Sequence, residues 1–166
     1  CVQAETIYCK ALLEAGADCT SIGDSTAGPA VISPAQYERY AFRYEKQLCD
    51  NVHALGGLIS LHICGNATKI VGQMVRTGAD ILELDQKTDT VLAYAQTRGK
   101  TTILGQVSPV TLAGGTPEDV REETQRMLCT VGGPHAGGVI LGAGCAIGAN
   151  TRDENIRAML ACVQEG

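Results

Sequence analysis

Two side chains with metal-binding chemistry, His62 and Cys64, stand at the end of an apolar segment of the sequence. The segment, residues 57–61, has the composition of a buried β-strand. Residues two apart in a strand point to the same face, so the imidazole and the thiol are expected to project together, and Gly65 then turns the chain outward. This pair suits a soft-to-borderline metal, Zn²⁺ first of all. The pair alone is also typical of a core histidine beside a buried cysteine.

A third candidate ligand is Cys145, which follows another apolar and glycine-rich segment, residues 138–144. If both segments are strands of one parallel sheet, their carboxyl ends meet at one rim, and Cys145 faces His62 and Cys64 across it. Two thiolates and an imidazole fill three positions of a tetrahedral zinc ion and leave the fourth for a carboxylate, water or substrate, as in a catalytic site. The alternative is that Cys145 only packs, as is expected of the cysteines in the predicted helices.

Four more polar residues lie at the ends of predicted strands. Glu83 and Asp85 end the third strand and share a parity, so both are expected to point toward the rim. Glu83 is the predicted carboxylate ligand and catalytic residue, and Asp85 is expected to lie nearer the loop and orient the site. Asp24 at the end of the first strand and Gln106 on the fourth are, together with Asp85, the predicted substrate-binding residues.

The elements that must position these residues alternate along the chain. One helix is followed by five β-α pairs, an order that predicts a parallel sheet with right-handed crossovers. Helix caps are predicted at Ser33, Asn66, Thr116 and Thr151. Strands are predicted over residues 19–24, 57–64, 81–85, 101–107 and 138–144, and helices over 2–15, 33–56, 66–77, 88–98, from 116, and 151–163.

Two architectures agree with this alternation. One is an open doubly wound sheet of five strands, and the other is part of a (β/α)₈ barrel, which typically needs ~250 residues. Functional side chains at several strand ends favour the barrel, as does a sequence that begins within a predicted helix. A dinucleotide-binding fold has no support because no Gly-x-Gly-x-x-Gly follows a first strand.

Composition excludes several classes of function. The chain has 166 residues, a net charge of -5 and no basic cluster, so nucleic-acid binding has no support. No apolar run reaches 18 residues and no signal peptide is visible, so no membrane association is expected. The eight cysteines are scattered through predicted helices and strands, which indicates reduced thiols in a cytoplasmic protein.

Several short motifs carry a resemblance to a known family. They lie at residues 14–18, 23–29, 61–66, 77–80, 115–118 and 138–145. These motifs resemble the uroporphyrinogen decarboxylase superfamily over nearly the whole chain. The resemblance implies that residues 1–166 form a single partial domain, the C-terminal part of a (β/α)₈ barrel with strands four to eight, and that the N-terminal strands are missing.

The resemblance is greatest to one branch of that superfamily. The decarboxylases proper do not carry a His-x-Cys…Cys motif, whereas the corrinoid-protein methyltransferases do, and His62, Cys64 and Cys145 match it. This likeness implies a zinc enzyme that moves a methyl group from a methyl-corrinoid, carried by a partner protein, to a thiol of the coenzyme M type or to a folate. Zinc deprotonates a bound thiol, which then attacks the methyl carbon. Glu83 resembles, more weakly, a glutamate on the next strand of such enzymes.

Two rival functions remain open at this stage. One is a metal-free decarboxylase of a tetrapyrrole-like acid, against which the few Arg and Lys residues at strand ends argue, since polycarboxylates need cationic partners. The other is a non-catalytic corrinoid-binding module.

The partial barrel also predicts two edge strands, the first and the fifth. A homodimer or a covering of helices and loops is expected there, rather than closure of a five-stranded barrel.

Overall fold

The computed structural model describes residues 1–164 and contains five parallel strands alternating with helices. The strands are β1 (Cys19–Gly23), β2 (Leu58–Ile63), β3 (Ile81–Leu84), β4 (Thr102–Val107) and β5 (Val139–Ala143). The helices are α1 (Val2–Glu14), α2 (Pro34–Tyr40), α3 (Phe42–Ala54), α4 (Val71–Arg76), α5 (Thr90–Thr97), α6 (Pro109–Gly114), α7 (Pro117–Val131) and α8 (Asp153–Gln164). A short 3₁₀ helix, Ser25–Ala27, follows β1.

The five strands form one sheet in the order of the chain. Each strand pairs in parallel with the next, from β1 to β5, and within the described residues β1 and β5 are the two edges. This is the arrangement of part of a (β/α)₈ barrel, so the predicted fold class is confirmed. The predicted edge strands are also confirmed, and the sheet is open. No helix among residues 1–164 is both long and apolar enough to cross a membrane.

The two faces of the sheet differ in what covers them. On one face the aliphatic side chains of β2 to β4 are completely or almost completely buried beneath the helices: Ile59, Leu61, Ile63, Leu82, Leu84 and Ile103. Burying a side chain of this size contributes about 1.5–3 kcal/mol, so this face supplies much of the folding free energy. The opposite face, here called the open face, carries Ser60, His62 and Glu83, and also two exposed aliphatic residues, Leu58 and Ile140.

Most of the predicted helices are present, and their starts and interruptions are where the sequence misleads. The Ser33 capping box is confirmed, but the long helix after it divides at Ala41 into α2 and α3. Near this division the Tyr37 hydroxyl donates to the buried Glu45 carboxylate. The Thr116 cap is also confirmed, with Asp119 completing its capping box.

Two predicted helix caps are wrong. Asn66 does not cap a helix, because its side-chain oxygen accepts from the backbone of Thr68 in a turn, and α4 begins only at Val71. Thr151 does not cap α8 either, since its buried hydroxyl has no hydrogen-bond partner in the described structure and the helix begins at Asp153. The six-residue helix α6, capped by Ser108, is too short to leave a periodic signal.

Candidate metal centre

The centre of the site is the carboxyl end of β2. His62 lies within the strand and Cys64 directly follows it, so both side chains leave the open face in the same direction. Gly65 has φ +80°, a left-handed conformation that favours glycine, and it turns the chain away at once. His62 Nε2 lies 3.0 Å from Cys64 Sγ.

Cys145 reaches this pair from the far edge of the sheet. It follows β5, and the Gly144 amide donates to Val107 at the end of β4 over 2.8 Å. A Cβ atom at residue 144 would lie 2.5 Å from the Gln86 backbone nitrogen, so only glycine allows this close approach. Cys145 Sγ lies 3.7 Å from Cys64 Sγ and 3.7 Å from His62 Nε2. The predicted convergence of the three side chains is therefore present.

The spacing of these three atoms fits a tetrahedral zinc ion. Zn–S bonds of ~2.3 Å and a Zn–N bond of ~2.0–2.1 Å place two sulfur ligands about 3.8 Å apart and a sulfur about 3.6 Å from a nitrogen. The observed S–S distance of 3.7 Å and one S–N distance of 3.7 Å match these edges, and the other, 3.0 Å, needs a small opening. Thiolate and imidazole ligands are also those that zinc prefers.

The imidazole of His62 is held in the orientation that a metal ligand needs. Its Nδ1 lies 2.9 Å from the backbone carbonyl of Glu83, on the neighbouring strand β3. A carbonyl only accepts, so Nδ1 carries the proton and donates. The other ring nitrogen, Nε2, then faces the two sulfur atoms and is the atom available to a metal.

The two thiols differ in their surroundings. The Ser25 hydroxyl donates to Cys64 Sγ over 3.1 Å, and this bond is the main reason that the pKa of Cys64 lies below that of an ordinary thiol. Partial burial opposes this effect, and contacts with His62 and Cys145 add to it. Burial is the main reason that the pKa of Cys145 is raised; a bond to the Ala146 backbone opposes it, and Cys64 and Asp85 raise it further. Cys64 is therefore the more readily ionised of the two.

Glu83 lies on the same open face but outside the group of three. Its Oε1 accepts hydrogen bonds from Ser21 on β1, over 3.0 Å, and from Ser60 on β2. The ligand atoms of His62, Cys64 and Cys145 all lie within 4.8 Å of one another, and no carboxylate of the described residues joins them. The prediction that Glu83 is a direct ligand therefore has no support from this arrangement, because Ser21 and Ser60 hold its carboxylate outside the group of three.

A cavity of about 490 Å³ connects these groups. Its walls are formed by the open face of the sheet and by the chain after β5: Ser21, Gly23, His62, Cys64, Glu83, Leu104, Ala143, Gly144, Cys145 and Ala146. No lysine or arginine is among them. The three candidate ligands and Glu83 thus share one compartment, which is large enough for a small thiol.

Asp85 is not part of that compartment. Its two carboxylate oxygens accept from the backbone amides of Gly65 and Lys87, over 2.8 and 2.9 Å, and the side chain is buried. It therefore fastens the turn after Cys64 to the end of β3, which agrees with the expected orienting role. Its position gives no support to the other prediction, that it binds substrate.

Asp24 and Gln106 also lie away from the cavity walls. The Asp24 carboxylate accepts from the Thr26 hydroxyl over 3.2 Å, and its backbone amide donates to the His62 carbonyl. Gln106 is buried, and its amide donates to the backbone carbonyls of Asp85 and Thr88. Both residues support the loops around the site, so their positions do not favour the predicted substrate contacts.

Three serines near the site were not predicted from the sequence. The hydroxyls of Ser21 and Ser60 donate to Glu83, and that of Ser25 donates to Cys64. Serine is too common in proteins for its presence alone to indicate a functional site. Strand register carries the missing signal, because Gly23 pairs with His62 and Ser21 pairs with Ser60. Once β1 and β2 are aligned in this way, Ser25 is expected beside Cys64.

Fold and site together define a class: a (β/α)-barrel protein with a thiolate and imidazole site at the carboxyl ends of its strands. The chain belongs to the uroporphyrinogen decarboxylase (URO-D) family, whose sequence model matches residues 1–166. Its relatives include the Methylcobamide:CoM methyltransferase MtbA of Methanosarcina mazei, 36% identical over 165 residues, which cover 99% of this chain and 47% of the relative. The Uroporphyrinogen decarboxylase of Thermus thermophilus is 32% identical over 164 residues, 98% of this chain and 46% of the relative.

A solved structure shows the same fold. The structure described as a methyltransferase from Methanosarcina mazei superposes with a TM-score of 0.87 at 28% sequence identity, over 99% of this chain and 47% of that chain. The chain thus spans about half the length of the curated relatives it matches. The described strands therefore form part of the sheet of such a barrel.

Proposed function

We propose that this chain forms the metal-binding part of a zinc-dependent methyltransferase. The enzyme would move a methyl group from a methyl-corrinoid, carried by a partner protein, to a thiol of the coenzyme M type or to a folate. The observation that carries the proposal is the triangle of His62 Nε2, Cys64 Sγ and Cys145 Sγ, whose sides are 3.0, 3.7 and 3.7 Å. It is supported by relatives that are named methylcobamide:CoM methyltransferases.

Each residue of the centre has a separate task in this proposal. His62, Cys64 and Cys145 would hold zinc, which would keep an acceptor thiol in its thiolate form at the remaining position. The Glu83 carbonyl fixes the tautomer of His62, and Asp85 fixes the turn that follows Cys64. The roles are thus divided between groups that bind the metal and groups that orient them.

The Glu83 carboxylate is the proposed catalytic group of the cavity. Ser21 and Ser60 both donate to its Oε1, so these bonds fix the orientation of the carboxylate and leave Oε2 for other partners. Oε2 would accept the proton that an incoming thiol releases. Acting as a metal ligand at rest, as the family resemblance suggests, would require Glu83 to leave both serines.

Metal content tests the proposal directly. We expect the full chain, purified without chelators, to contain one zinc per chain by inductively coupled plasma mass spectrometry. Replacing zinc with Co²⁺ should give sulfur-to-cobalt charge-transfer bands, and adding 2-mercaptoethanesulfonate should increase them as a third sulfur binds. Cys129→Ser, on the exposed surface of α7, is the matched control and should change neither result. A chain that binds no zinc, or bands that the thiol leaves unchanged, would refute the proposal.

A decarboxylase function is the alternative that the relatives bring forward. Uroporphyrinogen decarboxylases match at 32% identity. A substrate with several carboxylates needs cationic partners, and no Lys or Arg lines the cavity among the described residues. Decarboxylation of uroporphyrinogen by the metal-free chain would favour the decarboxylase. Methyl transfer from methylcobalamin to a thiol, if it stops when zinc is removed, would favour the proposed enzyme. Cytoplasmic location and a homodimer remain predictions.

A further inference from the structure

The hydroxyl of Ser25 contacts a candidate ligand sulfur without being part of the candidate ligand set. It donates to Cys64 Sγ over 3.1 Å. Ser25 begins the 3₁₀ helix after β1, and its own carbonyl accepts from the Gly28 amide. The Asp24 amide ties the same segment to β2 through the His62 carbonyl, over 2.9 Å. The hydroxyl is thus positioned by the strand pair itself.

The loop carrying Ser25 is also packed closely against Cys64. A Cβ atom at Gly28 would lie 3.0 Å from Ile63 Cγ2 and 3.1 Å from the Cys64 carbonyl oxygen, so a larger residue there would crowd both. The segment that carries Ser25 therefore lies directly against the end of β2. The bond from Ser25 to Cys64 is therefore built into the fold.

A site that methylates a thiolate faces a chemical difficulty when two of its own ligands are thiolates. Cys64 and Cys145 carry the same nucleophilic atom as the acceptor. Attack by either would form an S–CH₃ bond while the bond from the methyl carbon to its donor breaks and its electron pair stays with the donor. The product is a thioether, which has lost its negative charge. Such self-methylation would remove an anionic ligand from the centre.

We propose that Ser25 is a positioning residue that protects Cys64 from methylation, an inference that rests on the proposed methyl transfer. A hydrogen bond from the hydroxyl engages a lone pair of the sulfur and withdraws negative charge from it, which lowers its nucleophilicity. The Ser25 hydroxyl donates to Cys64 Sγ, so Cys145 serves as an internal reference.

Methyl iodide, a small electrophile, tests the proposal on the zinc-loaded full chain. The sulfur attacks carbon, the C–I bond breaks, and iodide leaves with the bonding pair. Mass spectrometry of peptides then gives separate methylation rates for Cys64 and Cys145. In Ser25→Ala we expect the Cys64 rate to rise about fivefold, the factor that corresponds to one ordinary hydrogen bond. The Cys145 rate should stay within about twofold of its original value, since the removed hydroxyl bonds Cys64.

Matched variants separate the hydroxyl from other effects of substitution. Ser25→Thr keeps the hydroxyl and should leave both rates unchanged, whereas Ser25→Val has nearly the shape of threonine without it and should behave as Ser25→Ala. Thr26→Ala removes the neighbouring hydroxyl, which is bonded to Asp24 instead of sulfur, and should have no effect. Zinc content, measured on every variant, confirms that rates are compared at equal metal loading.

Two results would overturn the role of Ser25. One is an unchanged Cys64 rate in both Ser25→Ala and Ser25→Val, and the other is an equal rise at Cys64 and Cys145, which indicates a general opening of the site. Failure of the proposed function looks different, because the original chain would then contain no zinc. The two proposals can therefore fail separately.

Discussion

The two faces of the sheet divide the work of this molecule between them. The face beneath the helices is built from aliphatic side chains with no exposed area, such as Leu61 on β2 and Leu82 on β3, whereas the open face carries His62 and Glu83 on the same two strands. Alternation along β2 and β3 places the two sets only one residue apart. Even within the six residues of β2, alternate positions therefore serve different purposes: those on one face stabilise the fold, and those on the other form the candidate site.

The largest expected effect comes from truncating a side chain on the face of the sheet that packs beneath the helices. Leu61→Ala removes a fully buried side chain and should lower the free energy of unfolding by about 2–5 kcal/mol, because it leaves a cavity between sheet and helices. Urea denaturation followed by circular dichroism measures this change. Leu58→Ala, on the open face of the same strand, is the control and should cost less than about 1 kcal/mol because Leu58 is 48% exposed. Equal costs would contradict the division between the faces.

A substitution on the open face should show the reverse pattern. Cys145→Ser should weaken zinc binding by more than about 100-fold, beyond the 10–100-fold that outer groups contribute, because a direct ligand is lost. The unfolding free energy of the metal-free chain should change by less than about 1 kcal/mol, since Cys145 is only half-buried. Competition with a chromogenic chelator gives the affinity. Full zinc affinity in this variant would remove Cys145 from the ligand set.

The covered side also carries a titrating group, the carboxyl of Glu45 in the helical layer. Burial is the main reason that its pKa is raised to about 7; the Tyr37 hydroxyl opposes this, and Asp24 raises it further. A raised carboxyl pKa means that the folded state favours the proton. Its stabilising contribution is therefore complete below the unfolded pKa of 4.5 and is lost as pH rises through about 7.

Glu45→Gln should remove this pH dependence. Between pH 5 and 7 the unfolding free energy of the original chain should fall, by an amount on the order of 2–3 kcal/mol, relative to that of the variant. Chemical denaturation at several pH values, with zinc absent, measures the difference. Parallel pH profiles for the two chains would show that Glu45 does not titrate in this range.

A smaller effect is expected at Asp85, which links the site to the body of the sheet. Asp85→Asn keeps the shape but removes the charge that accepts the Gly65 and Lys87 amides, so the turn after Cys64 should be held less firmly. Zinc affinity should fall by about 10-fold, at the lower end of the range for groups that orient metal ligands. Isothermal titration calorimetry measures it, and Asp89→Asn, at the cap of α5, is a control that should leave zinc affinity unchanged.

The sequence predicted the elements of this site better than its details, for physical reasons. Strand alternation and the common rim of parallel strands are enough to bring His62, Cys64 and Cys145 together. Gln106 departs from the expectation because Gly105, with φ +130°, interrupts the regular strand conformation on which parity depends. Side-chain bonds between strands, such as those from Ser21 and Ser60 to Glu83, require the register and are not visible from local pattern. The predicted caps at Asn66 and Thr151 are wrong because each residue forms part of a turn that precedes the helix, and the local sequence pattern does not distinguish a turn from a cap.

The sulfur–sulfur distance across the site has a mechanical meaning. Cys64 follows β2 and Cys145 follows β5, strands that would stand about 14 Å apart in a flat sheet, three spacings of about 4.8 Å. The two sulfur atoms are 3.7 Å apart, which is possible because the sheet between β2 and β5 is curved. A metal bound by both sulfur atoms would hold the sheet in this curvature. The curvature of the sheet and its affinity for the metal are then thermodynamically linked. A change that flattens β3 and β4 would weaken metal binding, and metal binding would oppose that flattening by the same free energy.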